Sequence, residues 1–100
     1  MSIEVVETSV LKNVEAQATS LIGVGKVRAL LLNLDAGQSL NPCQMPFPVL
    51  YYVIEGKGVL RVSEEQAGLK AGSLTVVPAG AVRSIATDGH IRVLAVQSLS

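Results

Sequence analysis

The sequence predicts a small all-β domain of the barrel or sandwich type. Three observations point there. Short runs of β-branched and aliphatic residues recur along the chain, turn signals separate them at short intervals, and no stretch of ten or more residues keeps a helical stripe. One hundred residues suffice for one core and are too few for two, so residues 1–100 read as a single domain. Hydrophobic residues make up 49% and charged residues only 16%, which favours a folded body over a disordered one. With no Trp, one Phe and two Tyr, the core has to pack from Val, Leu, Ile and Ala.

The elements follow in order. Residues 3–6 are a candidate edge strand, and residues 11–20 are open to either a short helix or a strand. Residues 26–34 read as a strand closed by Asp35, Ala36 and Gly37. The segment 41–48 carries Pro42, Pro46 and Pro48, which lack the N–H of a central ladder and belong at an edge or bend. Residues 49–55 form the clearest strand, ended by Gly56, Lys57 and Gly58. Residues 59–63 follow so closely that a hairpin with the preceding strand is expected. Residues 64–72 read as a polar connection. Residues 74–77 are a strand stopped by Pro78, Ala79 and Gly80. Residues 82–86 and 91–97 flank Thr87, Asp88, Gly89 and His90, an expected hairpin turn with an Asp-Gly pair.

Charge and targeting signals exclude several function classes. Eight Lys plus Arg balance eight Asp plus Glu without a run of either sign, so neither nucleic acid nor an anionic membrane surface is an expected partner. The longest apolar stretch, Ala29 to Leu32 with Leu34 beyond Asn33, is far too short to span a bilayer. The first seven residues are acidic and do not resemble a signal peptide. A lone Cys43 forms no intrachain disulfide. A cytoplasmic protein is the expectation.

Two spacings narrow the fold. Gly37 is followed by five residues, then Cys43-x-Met45, three residues, Val49, six residues and Gly56. Gly72 is followed by five residues, then Pro78-x-Gly80, two residues, Arg83, three residues and Thr87. Fifteen residues, 57–71, lie between the two blocks. This layout resembles the two motifs of the cupin superfamily, at 37–56 and 72–87, with the short spacing of small bacterial cupins. The phrase running from Tyr51 to Gly58 is similar to the family's wording as well. The framework is physically sensible, because Gly37, Gly56, Gly72 and Gly80 stand where strands should turn and Pro78 pre-sets the turn before Gly80. The resemblance implies a cupin-type jelly-roll β-barrel.

The family's metal is held by two His, a Glu and a later His, and those positions become Cys43, Met45, Val49 and Arg83. Val49 offers no donor atom, and a guanidinium repels a cation. The resemblance therefore implies a metal-free cupin with no cofactor. Cys43 and Met45, at i and i+2, are either soft ligands for Cu(I) or fillers of the space that the ligands vacated. A nucleophilic Cys43 beside Arg83 would need a base. The only His is His90, placed by the sequence in a surface turn, and Glu55 is the other candidate.

The resemblance implies that Val49 and Arg83 stand at inward-facing positions; alternation then groups Ile85 with Arg83 and turns Ser84 and Ala86 away, and it groups Tyr51 and Val53 with Val49 while Tyr52 faces out. A pocket lined by Cys43, Met45, Val49, Tyr51 and Arg83 follows, with Arg83 as the anchor for a small anionic or polar metabolite. The main expectation is thus a binding module rather than an enzyme. The alternatives are a metal-independent isomerase or lyase using Tyr51 or Cys43, and a purely structural, oligomerising barrel. The aliphatic content exceeds what one small barrel can hide, and small cupins commonly pair through the outer face of one sheet. Both point to a homodimer.

Overall fold

The computed structural model describes residues 18–24, 26–39 and 43–98, and the description that follows is of these. They form strands β1 (Ala18–Val24), β2 (Val27–Asp35), β3 (Cys43–Gln44), β4 (Val49–Val62), β5 (Glu65–Lys70), β6 (Leu74–Val77), β7 (Val82–Ala86) and β8 (His90–Ser98). The expected strand at 3–6 and the ambiguous stretch 11–17 lie outside the described residues. All strand pairings are antiparallel. One sheet runs β1-β2-β8-β4-β6, the other β5-β4-β7-β3, and β4 belongs to both.

The core lies between the inward faces of the two sheets. Leu32, Leu34, Ile91, Val93 and Ala95 reach it from β2 and β8, and Leu60, Leu69 and Ile85 from the second sheet. Along the first half of β4 the period of two is strict: Val49, Tyr51 and Val53 are buried, while Leu50 and Tyr52 face outward. The aliphatic composition is thus expressed as a core whose only buried aromatic, among the described side chains, is Tyr51.

Residues 49–62 form one strand of 14 residues, where the sequence led us to expect two strands in a hairpin. Gly56 is not a turn between strands but a bend within one. It holds φ at +82°, and a Cβ there would sit 1.9 Å from the His90 carbonyl oxygen. Only glycine allows β4 to press against β8 at this point. A register shift between Val53 and Glu55 adds local twist, and β4 then leaves the first sheet for the second.

The polar connection expected at 64–72 is instead largely strand β5, which returns along β4 from Val62↔Glu65 to Lys57↔Lys70. The reversal is a two-residue turn in which Ser63 takes a positive φ of 53°. Neither Asn-Gly nor Asp-Gly marks it, so the sequence carried no hairpin signal there. Beyond the tight turn at Gly72, β6 continues along the first half of β4, so β5 and β6 together make β4 one arm of a long, bent hairpin. The expected hairpin between residues 82–86 and 91–97 is absent as well. β7 pairs with β3 and β4, whereas β8 pairs with β2 and β4, so residues 87–89 cross from one sheet to the other. Of the proline-broken segment, residues 41–42 lie outside the described residues, and residues 43–44 do lie at an edge, as the two-residue β3 paired to β7. Gly37, Gly56, Gly72 and Gly80 all adopt positive φ, as the framework required. No helix among the described residues is long and apolar enough to cross a membrane.

Candidate functional site

Arg83 is the feature of the interior that the fold does not explain. Arg83 and Ile85 are buried on β7, as expected, and of the two residues expected to face away Ala86 is exposed and Ser84 half-buried. Arg83 is 2% exposed and stands between Cys43 of β3 and Val62 of β4 in backbone register. Its Nε donates to the Ala81 carbonyl at 3.1 Å, Nη2 to the Pro78 carbonyl at 3.4 Å, and Nη1 to the Tyr51 hydroxyl at 3.5 Å. The first bond has ordinary length and the other two are stretched, so the forked end is held weakly. Every acceptor is neutral. No carboxylate of the described residues comes within ion-pair distance of Arg83.

The remaining expected pocket residues are drawn together only in part. Tyr51 is buried on β4 with its hydroxyl on Arg83, and Val49 lies two residues earlier on the same inward face. Met45 is half-buried against the core cluster, and its carbonyl accepts from the Gly80 N–H at 2.8 Å. Gln44 Nε2 donates to the Gly80 carbonyl, so β3 and the Pro78–Gly80 turn are tied together beside Arg83. Cys43 pairs with Arg83 along the backbone, and its side chain lies outside the described residues. Thr87 is buried at the far end of β7, its hydroxyl donating to the Lys57 carbonyl at 2.7 Å.

These residues do not fit the metal that the motif positions imply. Val49 is an aliphatic side chain of the core, and Arg83 brings a positive charge to the place where a cation would sit. No cluster of three His, Cys, Asp or Glu side chains capable of holding a metal ion occurs among the described residues.

A cavity of about 320 Å³ lies between the arms of the bent hairpin, lined by Leu60 and Val62 of β4, Glu65 and Ala67 of β5, and Thr75 and Val77 of β6, with Pro78 at its end. It adjoins the buried pair directly: Val62 is the cross-strand partner of Arg83, Thr75 that of Tyr51, and the Pro78 carbonyl holds the guanidinium. None of Met45, Val49, Tyr51 and Arg83 lines it. Thr75 and Val77 could have been placed inward from the alternation of β6. Glu65 and Ala67 could not, because their strand was not recognisable.

His90 keeps 39% of its side chain exposed but stands in a strand rather than in the turn expected of it. It opens β8, half-buried, with Nδ1 at 3.3 Å from Asp35 and Nε2 at 3.2 Å from Glu55. Glu55 in turn lies 3.5 Å from Nη1 of the buried Arg92. Glu55, the carboxylate expected as a possible base for Cys43, is thus engaged with His90, as is Asp35.

No family model matches the sequence, and no curated protein matches it. Solved structures are similar in fold. A protein from Thermus thermophilus superposes with a TM-score of 0.86 at 23% identity over 97% of this chain and 98% of its own. A cupin superfamily protein from Desulfitobacterium hafniense gives 0.78 at 20% identity, over 83% of this chain and 76% of that one. The cupin domain of Cnp3 from Schizosaccharomyces pombe gives 0.79 at 18% identity, over 88% and 69%. Identities this low speak for architecture and not for activity. With the motif glycines in their required conformation and β4 shared between two sheets, the protein has the cupin fold.

Proposed function

We propose that the protein is a metal-free, cupin-fold binding module for a small anionic metabolite, anchored by Arg83. The observation that carries this reading is a buried guanidinium whose acceptors are all neutral and mostly distant. An unneutralised charge in a protein interior is costly, and a bidentate carboxylate relieves that cost better than carbonyl oxygens do. The adjoining cavity of about 320 Å³ accommodates a molecule of a few heavy atoms, and its walls are mostly aliphatic. Calorimetric titration with a panel of small carboxylates tests the proposal. Binding should be present in the wild type, weakened in Arg83→Lys and lost in Arg83→Met. Equal affinity in all three would refute it.

A specific observation also favours self-association. On the outer face of the first sheet, Leu74 and Val76 of β6 are 63% and 57% exposed and lie beside Tyr52 and Leu50 of β4, which neighbour Leu94 and Val96 of β8. These six residues carry no charge, so two copies of the patch can meet about a two-fold axis without like-charge repulsion. We read this face as the contact of a homodimer. Light scattering that gave a monomer mass at tens of micromolar would refute it.

A further inference from the structure

The outer face of the second sheet holds two features that cost stability and that the fold does not require. Lys57 and Lys70 are direct cross-strand partners on β4 and β5, which places two ammonium groups on the same face. Like charges directly opposed across strands are destabilising, and no carboxylate of the described residues comes within ion-pair distance of either. The second feature is Gly68, in the middle of β5. Its φ is not positive, and a Cβ added there would meet nothing within 4 Å. Glycine is a poor strand residue, and here neither backbone conformation nor close packing calls for it.

Both features line one groove. Val59 forms the centre of its floor, flanked in register by Gly68 on one side and Ala86 on the other. Lys57, Lys70 and Asp88 border this open groove of about 740 Å³. The lack of a side chain at Gly68 and the single methyl of Ala86 leave Val59 exposed as a shallow, apolar slot. A flat ring fits such a floor, and the lysine pair supplies a complementary charge at its edge. Asp88 on the rim disfavours a second negative group.

We propose that this groove binds a flat aromatic monocarboxylate, its ring over Val59, Gly68 and Ala86 and its carboxylate between Lys57 and Lys70. The site is separate from the interior site at Arg83 and does not depend on it. Both costs then have a reason, because the ligand's charge relieves the lysine pair and its ring occupies the space kept open at Gly68.

The test is a titration of the uniformly 15N-labelled full chain with 2-naphthoate, followed by amide NMR. Saturable shifts are expected at residues 57–59, 68–70 and 86–88, with a dissociation constant of about 1 mM or tighter. The double variant Lys57→Gln, Lys70→Gln should weaken binding about tenfold, as should replacing the probe by the uncharged 2-naphthalenemethanol. Gly68→Val should abolish binding while melting at or above the wild-type temperature, since valine is the better strand residue. A purely structural glycine would instead lower the melting temperature. Absence of saturable shifts up to about 10 mM, shifts centred on Tyr51 and Arg83, or unchanged binding in Gly68→Val would each overturn the proposal. A change of molecular mass in Gly68→Val would do so too, by showing the groove to be a contact between copies.

Discussion

Replacing Gly56 by Ala should unfold the chain far more readily than the same change at Gly72, and the difference can be worked from the structure. Both glycines hold a positive φ, +82° and +90°, so both variants bear the strain of an L-residue in the left-handed region, about 1–2 kcal/mol. At Gly72 nothing lies within 4 Å of the new methyl, so that strain is the whole cost. At Gly56 the methyl would lie 1.9 Å from the His90 carbonyl oxygen and 2.8 Å from the Ile91 Cα. Both are backbone atoms of β8, so no side chain can swing aside and β4 and β8 must part by more than an ångström. Overpacking costs about 1–3 kcal/mol and each lost ladder bond about 0.5–1.5 kcal/mol, giving roughly 3–5 kcal/mol in all. For a domain of this size that is a fall of about 15–30 °C in Tm, against about 5–15 °C for Gly72→Ala. Thermal melts followed by far-UV circular dichroism read both. The reasoning fails if the two variants melt together, or if Gly56→Ala stays within about 5 °C of the wild type.

Four further outcomes follow from the same structure. Arg83→Met should hold or raise Tm while lowering affinity for a bound carboxylate about a hundredfold or more, because two charge-assisted bonds of about 1.5–3 kcal/mol each are lost and the neutral acceptors gave little; a collapse in Tm would mark Arg83 as structural. Leu74→Glu should give a monomer by light scattering, since it sets a carboxylate on the uncharged face of each copy; an unchanged mass would place any dimer contact elsewhere. Elemental analysis of the purified protein should find no stoichiometric transition metal, and about one Mn, Fe, Ni, Cu or Zn per chain would refute the argument from Val49 and Arg83. His90→Leu should cost no more than about 1 kcal/mol in a denaturant melt, because its carboxylate partners are well exposed and such pairs are screened; a loss above about 3 kcal/mol would contradict this.

What the sequence by itself determined is whatever depends on near neighbours. The motif spacing set Val49 and Arg83 inward, and alternation then put Tyr51 inward with Val49 and Tyr52 outward, because a strand turns each side chain to the face opposite the one before. The spacing of Gly37, Gly56, Gly72 and Gly80 located four positive-φ positions, because that conformation is all but reserved to glycine. Tertiary structure alone decided the rest. Whether Gly56 ends a strand or bends one depends on the His90 carbonyl pressed against it from β8, a group that every residue carries and that no residue type announces. The same holds for Arg83. Its partners include the carbonyls of Ala81 and Pro78, and the carboxylates of Asp35 and Glu55 were claimed by a histidine expected on the surface. Side-chain direction is a local property of the backbone, and the choice of partner is a property of which strands the fold brings side by side.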